Sequence, residues 1–94
     1  MELPEEIGRC RLLESLDLRK NELTALPRSL AQCSCLSFMH LGNNRISLLE
    51  PALCEALVNL REVYLCRNKL EALPPQVGCM VNMTKISLSG NNMK

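Results

Sequence analysis

Aromatic residues are scarce in this chain, with one phenylalanine, one tyrosine and no tryptophan, and there is a single histidine. Zinc sites show paired ligands at short fixed spacing. Here six cysteines include no C-x-x-C pair, the closest spacing being Cys33-Ser34-Cys35. No metal and no cofactor are expected. Charge of neither sign is in excess, and a formal net charge of +1 gives nucleic acid no concentrated basic face. No apolar stretch is long enough to span a bilayer. The opening residues Met1-Glu2-Leu3-Pro4-Glu5-Glu6 place acids where a signal or transit peptide would carry bases. With nothing to direct it out of the cytosol or into an organelle, the chain is expected to be cytoplasmic. No nucleic-acid partner, no membrane insertion and no small-molecule substrate are expected.

What is present is a repeat. At 94 residues there is room for one domain with a modest core, and 47% hydrophobic against 22% charged residues argues against disorder. Leu13-x-x-Leu16-x-Leu18-x-x-Asn21-x-Leu23 aligns with Leu36-x-x-Met39-x-Leu41-x-x-Asn44-x-Ile46. Leu60-x-x-Val63-x-Leu65-x-x-Asn68-x-Leu70 and Met83-x-x-Ile86-x-Leu88-x-x-Asn91-x-Met93 complete the set. The starts are 23, 24 and 23 residues apart, and every apolar position and every asparagine falls in column. A pattern this long recurring four times is highly specific.

Each column has a physical reading. The apolar residues opening a unit include an alternating pair that suits a short strand with one face buried. Asparagine follows where the chain turns away, because its amide both donates to and accepts from backbone groups that the turn leaves unpaired. Stacked units predict a ladder of Asn21, Asn44, Asn68 and Asn91, all buried and fully hydrogen-bonded. Leu3-Pro4, Leu26-Pro27 and Leu73-Pro74-Pro75 mark the same place on the return, where proline stops strand pairing and can open a helical turn. The second unit has an extra residue and strong helix formers, which predicts a proper helix from Pro51 to about Val58. The other returns are expected to make a helical turn or two.

On these residues the chain resembles the leucine-rich repeat family over essentially its whole length. The 23-residue unit with Leu-Pro-x-x-Leu on the return is most similar to the intracellular class, which includes Ras-interacting scaffolds and related signalling adaptors. Extracellular relatives usually have units a residue longer, phenylalanine on the return and cysteine-rich caps, marks that are missing here. The resemblance implies an α/β solenoid, right-handed, with a short parallel sheet on the concave side, helical turns or short helices on the convex side, and a protein as partner. The expected divisions within a single domain spanning 1–94 are a partial repeat 1–12, repeats 13–35, 36–59 and 60–82, and a partial repeat 83–94. Such arrays normally end in atypical capping units, whereas Met83, Ile86 and Leu88 would form an uncovered edge strand. A fragment or short form of a longer array is therefore expected, and its working surface could lie elsewhere in the parent.

Period-two alternation assigns the residues that face out of the sheet. They are Ser15, Asp17 and Arg19, flanked by Glu14 and Lys20, on the first strand, then Phe38, His40 and Gly42 on the second. Glu62, Tyr64 and Cys66 follow on the third, and Lys85, Ser87 and Ser89 on the fourth. Phe38, His40 and Tyr64 thus fall together, rimmed by Asp17, Arg19, Arg61, Glu62 and Arg67. Aromatics are favoured at hot spots, although they suit any sheet surface. This patch is the expected partner-binding centre.

Cys10 and Cys33 take the place of Met80 and are expected to be small core hydrophobes. Cys35, Cys54 and Cys79 have no assigned role. Cys66 should face solvent beside Arg67, where a cation can raise thiol reactivity, though a plain surface residue is the blander reading. Asp17, His40 and Tyr64 share a row, with Cys66 nearby, which on paper supplies acid, imidazole and nucleophile. A flat sheet offers no pocket and no oxyanion donors, so no enzymatic activity is expected. Asn82-Met83-Thr84 is a formal glycosylation acceptor, which is discounted.

Overall fold

The computed structural model describes residues 3–93. Four three-residue strands, β1 (Ser15–Asp17), β2 (Phe38–His40), β3 (Glu62–Tyr64) and β4 (Lys85–Ser87), pair in parallel in the order of the chain. Leu16, Met39, Val63 and Ile86 stand in one row across the sheet, as the alignment of the units requires. Parallel neighbours cannot be joined by a hairpin, so each return segment crosses behind the sheet and buries its apolar side against the inner face.

Proline sets where each return becomes helical. Pro4, Pro27 and Pro74 each sit in extended backbone, φ −67 to −70° and ψ 147 to 152°, just before the 3-10 helices Glu5–Arg9, Arg28–Gln32 and Pro75–Cys79. In the longer unit Glu50 takes that place and Pro51 becomes the first residue of α1 (Pro51–Ala56). The helix stops short of Val58 because Leu57 leaves helical backbone, at φ −89° and ψ 59°, while its N–H still reaches Leu53 O at 2.9 Å. Cys10, Cys33, Leu57 and Met80 close the four returns with nearly the same backbone angles.

The core is aliphatic and continuous through the middle turns: Leu30, Leu36, Leu41, Ile46, Leu60, Leu65 and Leu70 have no exposed surface. Leu13, Leu16, Leu18, Met83, Ile86 and Leu88 in the outer turns are only partly buried, since each has a neighbouring turn on one side. The same asymmetry corrects the expectation for Cys10. Cys33 is buried, with its Sγ 3.3 Å from Ile7 O, but Cys10 is exposed because no described turn lies over it. Burial pushes the Cys33 and Cys54 thiols above their ordinary value.

The asparagine ladder joins turn to turn. Asn44 Nδ2 donates to Leu18 O and Leu41 O at 2.9 and 3.0 Å, and its Oδ1 accepts from Leu23 N at 3.1 Å. Asn68 repeats this with Leu41 O, Leu65 O and Ile46 N at 2.9, 3.1 and 3.0 Å. Both are buried. Asn91 makes the same set to Leu65 O, Leu88 O and Leu70 N, whereas Asn21 bonds only within its own turn, to Leu18 O and Arg19 O. Neither end member is fully buried, contrary to expectation, because nothing described covers its outer flank. The residue before each asparagine is left-handed: Lys20, Asn43 and Arg67 at φ 57 to 59°, and Gly90 at 75°.

A second polar ladder was invisible in the repeat alignment. Asn59 Nδ2 donates to Ser34 O at 2.8 Å and Asn82 Nδ2 to Val58 O at 2.9 Å. Beside them the Ser37 and Thr84 hydroxyls donate to Glu14 O and Arg61 O, at 3.2 and 3.0 Å. Two of the three residues of the glycosylation-like triplet, Asn82 and Thr84, thus tie turn to turn.

Close stacking of the returns gives two glycines opposite tolerances. A Cβ on Gly8 would lie 2.6 Å from Ser29 O and 2.8 Å from Ser29 Cβ, while one on Gly78 would meet nothing within 4 Å. Gly8→Ala is expected to cost about 1–3 kcal/mol, as overpacking does. Gly78→Ala should be neutral or gain up to about 1 kcal/mol by restricting the unfolded chain. Urea midpoints of the two variants check this; equal shifts would contradict the stacking.

Candidate functional site

The outward face of the sheet carries the candidate site. Parallel register places Asp17, His40, Tyr64 and Ser87 in one row, with Ser15, Phe38, Glu62 and Lys85 in the row before it. The three ring residues are thereby brought into contact. Tyr64 stacks on His40 with centroids 5.0 Å apart and planes 27° apart, and meets Phe38 at 5.6 Å in a tilted arrangement. All three rings remain partly exposed. Offset and tilted pairs at these separations are the favoured ones for aromatic quadrupoles.

Polar groups fix the rings. The Tyr64 hydroxyl donates to Glu62 Oε1 at 2.5 Å, and Lys85 Nζ lies 5.4 Å from the Tyr64 ring centroid, within cation–π range. Gly42 N–H donates to His40 Nδ1 at 3.2 Å, which leaves Nε2 as the nitrogen that carries the proton of a neutral imidazole. Gly42 is buried at the edge of this cluster, where a Cβ would come 2.9 Å from the His40 ring and 3.1 Å from Cys66 Sγ. Cys66 is accordingly half-buried rather than open to solvent.

The rim residues divide into engaged and free. Arg19 grips both Asp17 carboxylate oxygens, with bonds of 2.9 to 3.1 Å. That guanidinium holds the Asp17 carboxyl below its ordinary value, and the carboxylate raises Arg19 in turn. Arg61 is exposed, and its carbonyl accepts from the Thr84 N–H and hydroxyl. Arg67 lies not on the strand but in the left-handed turn, its stem crossing Gly90. Alternation had assigned Lys85 to this face but not to the ring cluster. Its diagonal approach to Tyr64 needs the register Glu62↔Lys85, which is readable once the strands are aligned.

The acid, imidazole and phenol that share this row are each bonded outside it. Asp17 is committed to Arg19, His40 Nδ1 to Gly42, and the Tyr64 hydroxyl to Glu62. Among the described residues no three His, Cys, Asp or Glu side chains are gathered as a metal site would need, and no helix is long and apolar enough to cross a membrane.

The Glu62 carboxylate pushes the Tyr64 phenol above its ordinary value. The bond therefore contributes stability that is present below the ordinary phenol range and lost as pH rises through the raised value. With one tyrosine and no tryptophan, phenolate absorbance reports this group alone. Its midpoint is expected above that of a free phenol and should fall back in Glu62→Gln; an unchanged midpoint would contradict the bond.

Comparison with known proteins accords with this geometry. The chain is 30% identical over 93 residues to the human leucine-rich repeats and immunoglobulin-like domains protein 3, a match covering 98% of this chain and 8% of that protein. It is 32% identical over 94 residues to the flightless-1 homolog of Caenorhabditis elegans, again 98% of this chain and 8% of the relative. The chain therefore spans only a small part of these relatives. A solved leucine-rich repeat protein of Leptospira interrogans superposes with a TM-score of 0.92 at 34% identity, over 97% of this chain and 23% of that one. Family models described as leucine rich repeat match residues 12–33 and 36–93. The chain belongs to the leucine-rich repeat family.

Proposed function

We propose that this chain is a protein-interaction module that holds a partner protein on the concave face of its sheet, in intracellular signalling or scaffolding. The observation that carries the proposal is the contact of Phe38, His40 and Tyr64 on an otherwise aromatic-free molecule. Rings that bury much area for little lost entropy are what binding centres use, and concave solenoid faces offer an extended surface for them. Asp17, Arg19, Glu62 and Arg67 form the polar rim. The intracellular setting is supported by the Leu-Pro return spacing. Asp17, His40 and Tyr64 are each bonded to a group outside their row, which supports binding over catalysis.

Phe38→Ala with Tyr64→Ala is expected to weaken partner capture at least tenfold, the size of a single hot spot. Folding should be retained, because both rings lie outside the core cluster. Proximity labelling in cells with wild type and the double variant reads this out, with thermal melts as the control. The same partners labelled equally by both would end the proposal. That result would favour a segment that only extends a longer solenoid, a reading the 8% coverage of relatives keeps in play.

A further inference from the structure

Charge on the outward face changes along the strand direction, and the ring cluster lies at the change. Where the strands begin, Glu14 and Glu62 stand against Arg61 and Lys85, and the Tyr64 hydroxyl and ring already engage Glu62 and Lys85. Where the strands run into the asparagine turns, Asp17 is the one acid against Arg19, Lys20 and Arg67. Asp17 and Arg19 neutralise each other at 2.9 Å. Just beyond, Arg45 pairs with Glu22 at 3.4 Å, and Lys69 is exposed. At the left-handed turn positions themselves, Lys20 and Arg67 are exposed and without an ion pair among the described residues.

The backbone that carries these two cations is fixed by hydrogen bonds. Both occupy the left-handed position before a ladder asparagine, at φ 59° and 57°. Lys20 N–H donates to Gly42 O at 3.0 Å and Arg67 N–H to Ser89 O at 2.8 Å. A Cβ on Gly90 would meet Arg67 Cγ at 3.0 Å, so the bare glycine makes room for the arginine stem. Two strand spacings separate the cations' backbones, about 10 Å, a span that an extended chain covers in roughly three residues.

We propose that the face takes an acidic segment of a partner protein anchored by one apolar side chain. A leucine, proline or aromatic side chain sits on the rings of Phe38, His40 and Tyr64, and two carboxylates a few residues away reach Lys20 and Arg67. The inference rests on the reading of this face as the binding surface. A nucleic acid fits it less well, since a net charge of only +1 gives no concentrated basic face.

The test is selection of a random peptide library on the immobilised chain. The enriched peptides are then synthesised, and their affinities measured by fluorescence anisotropy. They are compared on wild type, Lys20→Gln with Arg67→Gln, and Phe38→Ala with Tyr64→Ala, with circular dichroism melts confirming that each variant folds. Enrichment of aspartate and glutamate around one apolar residue is expected. The charge variant should weaken these peptides roughly three- to thirtyfold, the worth of two exposed ion pairs. That difference should vanish near about 1 M salt, where the screening length is about 3 Å. Neutral or basic enrichment, no enrichment, or tighter binding of an oligothymidylate would overturn the inference. So would acidic peptides indifferent to the charge variant. If such peptides still need Phe38 and Tyr64, the binding face stands and only its charge preference falls; indifference to both variants brings down the face as well.

Discussion

Asn68→Ala is expected to destabilise the chain by roughly 3–4 kcal/mol, against about 1 kcal/mol for Asn21→Ala. The difference follows from what each amide joins. Asn68 Oδ1 accepts from the buried Ile46 N–H at 3.0 Å, and its Nδ2 also donates to Leu41 O and Leu65 O. Each of those carbonyls keeps a second amide, from Asn44 and Asn91 respectively, but Ile46 N–H has no such replacement. A buried donor left unpaired carries its full desolvation cost, about 1–3 kcal/mol. Asn21 bonds only within its own turn, and Leu18 O retains Asn44. Asn68→Asp separates the two halves of the role, since it keeps an acceptor for Ile46 N–H but sets a carboxylate against two carbonyl oxygens. It should be no more stable than the alanine variant. Urea unfolding of the three variants reads this, and equal losses at positions 21 and 68 would contradict the ladder.

Leu65→Ala is expected to cost roughly 2–5 kcal/mol, the range for truncating a large core side chain. For a domain of this length, whose whole stability is on the order of 5–14 kcal/mol, that is a large share. Leu65 is fully buried between turns on both sides, and its backbone N–H and carbonyl are held by Ser87 O, Asn68 and Asn91. The cavity therefore has little freedom to collapse. Leu18 occupies the same column in the first turn but is only partly buried, so Leu18→Ala should cost about half as much. Denaturant midpoints at unchanged m-value test the ranking, and a Leu18 variant as unstable as the Leu65 variant would refute it.

Much of this was legible from the chain itself. Leucine columns and asparagines at a fixed spacing carry the strand, the turn and their stacking at once, so register followed from alignment and placed Phe38, His40 and Tyr64 side by side. The prolines marked where each return turns helical because their φ is fixed wherever they stand. Three things escaped. The exposure of Cys10 and the partial exposure of Asn21 and Asn91 depend on neighbours outside the column, which a repeat pattern does not count. The Asn59 and Asn82 ladder was hidden because the equivalent positions hold Leu12 and Cys35, neither of which makes the bond. The commitments of Glu62, Lys85 and the His40 Nδ1 are matters of rotamer and diagonal reach, and alternation says only which face a side chain leaves from.

The claim on which the binding face depends is that register gathers three scattered rings into one cluster. A two-dimensional NOE spectrum of the chain tests it without ambiguity, because phenylalanine, tyrosine and histidine each occur once. Ring-to-ring cross-peaks from Tyr64 to both His40 and Phe38 are expected from centroids 5.0 and 5.6 Å apart. Tyr64 ring protons with cross-peaks to neither would show that the rings do not meet.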